Sequence, residues 1–201
     1  MSKIRRLPLS VSWLYVLALL FVLLIVCAHW ARSDLSAVDA PLSAYFDGAS
    51  RRWAIAAYAA LCGAIAVHGF LTFGSNIRGN VLLAGLYVIA VAAIMLAGLS
   101  ARTSIPMQEK LVFESPGLHR VAAQVSFLTM LIAMALQTWG ARALLDARMA
   151  WFFWALWVVA ALFFVGTTYT AVLHKGALQK ICVLAIIVWL LASVFVLKRG
   201  N

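Results

Sequence analysis

Leu9-Ser10-Val11-Ser12-Trp13-Leu14-Tyr15-Val16-Leu17-Ala18-Leu19-Leu20-Phe21-Val22-Leu23-Leu24-Ile25-Val26-Cys27-Ala28 carries neither a charge nor a proline. At 1.5 Å per residue, a helix of that length reaches about 30 Å, the thickness of a bilayer's hydrocarbon core. Five further apolar blocks follow, giving approximate spans of 9–28, 53–73, 81–99, 118–138, 150–173 and 181–197, none with an interior proline. A lipid-exposed backbone must satisfy its own N–H and C=O groups. Barrel strands would show about ten residues of strict alternation, and none of these blocks alternates. The expected fold is all-α: a polytopic membrane helix bundle of six transmembrane helices, forming a single domain over residues 1–201.

Composition agrees. Of the 201 residues, 66% are hydrophobic and only 11% charged, against roughly a quarter charged in soluble domains. The formal charge of +10 comes from Lys and Arg placed singly or in pairs between the apolar blocks, where they can meet anionic headgroups. A nucleic-acid partner would need a clustered basic face on a soluble surface, and no polar stretch is large enough to be one. Cys27, Cys62 and Cys182 are isolated within or beside apolar blocks, without Cys-x-x-Cys spacing, and read as small buried hydrophobes. Leu24-Ile25-Val26-Cys27 resembles a lipoprotein cleavage box, but Val26 stands where a small residue is needed. The basic start Lys3, Arg5, Arg6 has signal-peptide flanks, yet the apolar run behind it exceeds an h-region, so it reads as an uncleaved first helix.

Orientation follows from charge. Lys and Arg divide about evenly between the two sides, so the residues ahead of the first span decide, and Lys198 and Arg199 agree with them. Both termini are expected in the cytoplasm. The longer first and third loops then lie outside, with Asp34, Asp39, Asp47, Glu109 and Glu114. Trp30 and Trp53 fall at the outer interface, and Trp13, Trp139 and Trp151 near the inner one.

This topology gathers chemistry at one edge. His29 closes the first span, His119 opens the fourth and His174 closes the fifth. Histidines and carboxylates at one depth can ligate a metal, relay a proton or hold a headgroup, and interfacial histidines are also simply comfortable there. His119, Ala122, Ser126, Ala133 and Gln137 share a helical stripe of small and polar residues, as do Thr167, Thr170 and His174 on the next span. The two faces are expected to meet. A ligand-facing wall and an interhelical packing seam both produce such stripes. Ala56, Ala60, Ala64 and His68 form a packing ridge on the second span, and His68 belongs to the inner half, away from the outer cluster. No Asp, Glu, Lys or Arg lies in the middle of any span, which disfavours ion-coupled transport. Histidines paired at two depths, as a two-haem carrier needs, are missing; a single outer haem or an outer zinc held by His29, His119 and His174 remains a weak option, and no cofactor is expected. Hydrolase, zincin and phosphate-loop signatures are absent.

Particular stretches carry a resemblance. Pro41-Leu42-Ser43-Ala44-Tyr45-Phe46-Asp47-Gly48 with Trp53, Ile105-Pro106-Met107-Gln108, Leu118-His119-Arg120-Val121-Ala122-Ala123 with Phe127, and Gly176-Ala177-Leu178-Gln179-Lys180 with Trp189 follow in order. Together they resemble the bacterial and archaeal membrane family catalogued as domain of unknown function 998. Two positions depart from that pattern: Gln108 stands where the family often has an acid, which leaves Glu109 or Glu114 as substitutes, and Ala49 stands where proline is usual. The resemblance implies six helices and an outward group of Ser43, Tyr45, Asp47, Pro106, His119 and Gln179, and implies no reaction.

The leading expectation is a multi-pass bacterial inner-membrane protein. Its outward polar pocket would be built from Ser43, Tyr45, Asp47, Glu114, His119, Ser126, Thr170, His174 and Gln179 and would bind a lipid headgroup or small amphiphile, or dock a partner subunit. Membrane lipids, a second copy or a partner membrane protein are the expected company. The alternatives are a membrane-embedded enzyme using His119 with a carboxylate, on a metal or as general base, and a non-ion-coupled exporter.

Overall fold

A computed structural model describes residues 9–75, 79–100, 116–169 and 174–199. Glu109, Glu114, Pro106 and Thr170, named above, lie outside them. The described chain forms α1 (Leu9–Trp30), α2 (Arg51–Phe73), α3 (Asn80–Leu99), α4 (Pro116–Gly140), α5 (Ala147–Tyr169) and α6 (Lys175–Arg199). All six are long and apolar enough to cross a membrane, and no strand occurs among the described residues. The protein is a multi-pass helix bundle.

Between lipid-embedded helices there is no hydrophobic driving force, so close association depends on small side chains that let backbones approach. α2 shows how this chain meets that need. Its buried face is built from Ala54, Ala57, Ala60 and Ala64, and at Gly69 an added methyl group would sit 2.9 Å from Cβ of Tyr87 on α3. α2 therefore packs tightly against both α1 and α3, and also reaches α6. Consecutive helices pair closely except α4 and α5, whose contact is sparser, and α5 is the least buried helix. Asn80 ties two ends together: its side-chain amide donates to the Phe73 and Ser75 carbonyls at the end of α2, while Oδ1 accepts from the Val81 N–H.

Two boundaries differ from the sequence reading in ways that matter for the site. The first loop, which lies between the expected spans, holds two short 3-10 helices, Leu42–Phe46 and Gly48–Ser50, immediately before α2. And α6 begins at Lys175, not near Ile181. The polar run Lys175-Gly176-Ala177-Leu178-Gln179-Lys180 looks like loop by hydropathy, but it is helical because its polar groups find partners on the first loop.

Candidate functional site

The start of α6 and the first loop are locked by backbone contacts. The Ala177 N–H donates to the Val38 carbonyl at 2.6 Å, and Gly176 lies so close to the Ala40 carbonyl that any β-carbon there would collide with it. One turn further on, Lys180 donates to the Ala37 and Ala40 carbonyls and stands 5.5 Å from the centre of the Tyr45 ring. Gln179 Oε1 accepts the Leu42 N–H at 2.8 Å. A backbone N–H can only be met by an acceptor, so this contact fixes the amide's orientation and leaves its NH2 group for another partner.

The loop itself is ordered by Asp47 and Tyr45. Asp47 caps the second 3-10 helix by accepting the Gly48 N–H at 2.8 Å, and its carbonyl takes hydrogen bonds from Arg32 and from the buried Ser50 hydroxyl. The Arg32 guanidinium forks onto Asp34, which holds that carboxyl below the usual carboxylate range. Tyr45 is buried, its hydroxyl 3.0 Å from His29 Nδ1, and burial pushes its phenol upward. Ser43 sits half-buried in the first 3-10 helix. His174 turns the chain into α6 with φ at +79°, an unusual conformation for a side-chain-bearing residue, and its Nδ1 lies 2.7 Å from Asp39 on the exposed rim. Asp39 is held below the usual carboxylate range, first by the Ser36 hydroxyl and then by His174.

Beneath this loop a narrow slit, with a cavity volume of only about 50 Å³, runs down between α2, α3, α4 and α6. His119 and Gln179 stand in its wall together with Leu42 from the loop. Leu61, Phe127 and Val183 line it lower down, and it reaches Ile65, Met130 and Ile186. His119 Nδ1 lies 2.8 Å from the Ala97 carbonyl in the last turn of α3. A carbonyl cannot donate, so Nδ1 carries a proton, and in the neutral ring Nε2 keeps a lone pair. Ser126 also lines the slit, its hydroxyl returned to the Ala123 carbonyl at 2.8 Å.

The three histidines at the span ends thus have three different partners: Tyr45 for His29, Ala97 for His119 and Asp39 for His174. No group of three or more His, Cys, Asp or Glu able to hold a metal occurs among the described residues. On the α4 stripe, Ala122, Ser126, Ala133 and Gln137 are all buried. The α5 stripe is less engaged: Thr167 is half-buried and returns its hydroxyl to the Phe164 carbonyl.

A second polar cluster, which joins Gln137 of the α4 stripe and His68 of the α2 ridge to residues that no single-helix spacing connects with them, lies at the other end of the same four helices. His68 is fully buried, with Nε2 2.6 Å from the Ser193 hydroxyl oxygen. Ser193 itself donates to the Leu190 carbonyl, so the imidazole is the donor between them. The His68 ring packs between Tyr87 and Trp189, with centroids 5.0 Å and 5.7 Å away. Tyr87 in turn donates to Gln137 Oε1 at 2.5 Å, and Gln137 Nε2 has no partner among the described residues. These residues come from four helices and are too far apart in sequence for periodicity to connect them. Comparison with known proteins found no matching family model, no matching curated protein and no matching solved structure.

Proposed function

We propose that this chain is a bacterial inner-membrane protein whose outward-facing slit holds an amphiphile, with the polar end between His119 and Gln179 and the apolar end toward Ile65, Met130 and Ile186. The observation that carries this reading is the slit's polarity profile. His119 and Gln179 stand under the first loop, Tyr58 and Ser126 add hydroxyls to the wall, and its far end at Ile65, Met130 and Ile186 is hydrocarbon. From His119 to Met130 the wall descends eleven residues along α4, roughly 16 Å at 1.5 Å per residue and about half of a 30 Å core, which is the reach of one acyl chain in one leaflet. Beyond Ile65, Met130 and Ile186 the four helices close on the His68 cluster, which favours a blind pocket over an export path. Against the enzyme alternative, the partner of His119 Nδ1 is a backbone carbonyl. The family resemblance belongs to the same proposal, supported by the way its short motifs bring Leu42, His119 and Gln179 to one cavity.

The test uses the protein in phosphatidylcholine nanodiscs with a photoactivatable medium-chain amphiphile. Labelling should concentrate on Phe127, Met130 and Val183 and be lost in Ala123→Phe, which fills the slit. Labelling spread evenly over lipid-facing residues such as Leu128 and Leu184 and unchanged in Ala123→Phe would remove the pocket from consideration. Orientation has its own measurement: a cysteine placed at Asp39 should react from the periplasmic side only.

A further inference from the structure

We infer a second site, separate from the slit: a pocket for the headgroup of an anionic phospholipid, where the start of α3 meets the end of α4. A cavity of about 440 Å³ opens there, far larger than the slit and within the roughly 300–1,000 Å³ of small-molecule sites. Its space exists because three lining positions carry almost no side chain. They are Gly79, which precedes α3 with φ at +77°, Gly140, which ends α4, and Ala143 in the 3-10 turn that follows. Leu82, Leu83 and Leu136 supply the apolar lining; Leu83 is buried in the bundle core, whereas Leu82 and Leu136 are exposed within their spans and so border lipid. Trp139 and Arg142 complete the lining.

Charge identifies the occupant. Arg142 is exposed, its guanidinium carbon stands 4.5 Å from the centre of the Trp139 ring, and among the described residues it makes no hydrogen bond or ion pair. A ring steadies a guanidinium without satisfying its N–H donors, and these suit the paired oxygens of a phosphate. Of the chain's six acids only Asp146 lies on this side of the six spans, and its carboxylate accepts the Met149 N–H at the start of α5. A zwitterionic headgroup would bring its own cation toward Arg142, whereas an anionic one brings the phosphate charge alone. Trp139, exposed at the end of its span, marks the depth of headgroups, and Leu82 and Leu136 lie about one helical turn deeper. The pocket thus joins a cation at headgroup depth to leucines at chain depth, a pairing that a lipid answers and a soluble anion does not.

The experiment is a native mass spectrometry titration of the detergent-solubilised protein with phosphatidylglycerol and with phosphatidylcholine of the same acyl chains. The first phosphatidylglycerol should bind about fivefold tighter than the first phosphatidylcholine, the ratio expected for one cation near a headgroup. Arg142→Gln removes the cation, and Ala143→Glu sets a carboxylate in the lining; both positions are exposed and lie beyond the end of the fourth span. Each variant should reduce the preference to within about twofold. Arg52→Gln, which removes the cation standing 5.1 Å from the Trp53 ring at the opposite side, should leave it intact. Equal affinity for the two lipids in the parent protein, a preference that survives both Arg142→Gln and Ala143→Glu, or an equal loss in Arg52→Gln overturns the site. Inorganic phosphate decides the source of the anion: a rise in melting temperature matching that from phosphatidylglycerol would assign the pocket to a free anion and overturn the lipid. These outcomes are separate from those of the amphiphile reading, because the slit and this pocket share no lining residue.

Discussion

The two ends of the α2–α3–α4–α6 quartet treat polar side chains in opposite ways. At the loop-bearing end, His119 and Gln179 each give one function to a backbone group and keep the other, beside an open slit. At the opposite end, His68, Ser193, Tyr87 and Gln137 bond mainly to one another, and rings pack around them. The first arrangement leaves hydrogen-bonding capacity for a visitor; the second uses nearly all of it to hold helices together. Polar residues within a bundle therefore cannot be read as functional from their burial alone, and the informative quantity is what each has left after its neighbours are served.

That contrast can be broken experimentally. The largest effect should come from His68→Ala, which opens a void at the centre of the inner cluster and removes the donor to Ser193. A loss of about 2–4 kcal/mol of bundle stability is expected, read by denaturant titration in bicelles, with probe labelling at Phe127 unchanged in the folded fraction. Weakened labelling without loss of stability would mean the inner cluster serves the ligand after all. Gly176→Ala should cost less, about 1–3 kcal/mol, because the new methyl collides with the Ala40 carbonyl and forces the loop off α6. Its signature is reduced affinity for the amphiphile, since Leu42 and Gln179 move apart. A Gly176→Ala variant that binds normally would separate the loop from the slit.

The smallest effect belongs to the rim. Folding holds the Asp39 carboxyl below its ordinary value, so its contribution is complete above about pH 4 and fades as pH falls through the folded value. Melting curves of the parent protein and Asp39→Asn should therefore differ slightly at neutral pH and converge in acid. An exposed pair such as Asp39 with His174 contributes little, and a large difference would show that the rim is part of the lock.

How much of this was readable beforehand depends on where the information lies. Six spans follow from hydropathy because lipid imposes the same requirement on every block, and the α4 stripe follows from helical periodicity, with Ala122, Ser126, Ala133 and Gln137 all buried. The start of α6 was misplaced because Gln179 and Lys180 are polar by composition, and only the folded loop supplies the carbonyls and N–H that make them helical. The partnership of His68 with Ser193 joins residues 125 positions apart, and no periodicity on one helix reveals it. His29, His119 and His174 share a depth, as their span ends imply, but depth does not fix azimuth around the bundle, and each meets a different neighbour.

Gln179 has one consequence of its own. The amide that pins the first loop through Leu42 belongs to a residue that also lines the slit, so the loop and a guest of the proposed pocket would draw on the same side chain. Thermodynamic reciprocity then applies: whatever a guest gains by steadying Gln179, the loop gains equally in closure, and a protein that grips the loop from outside tightens the hold on the guest by the same factor. Occupancy of the proposed pocket would thereby become visible at the first loop, where another macromolecule could sense it without touching lipid.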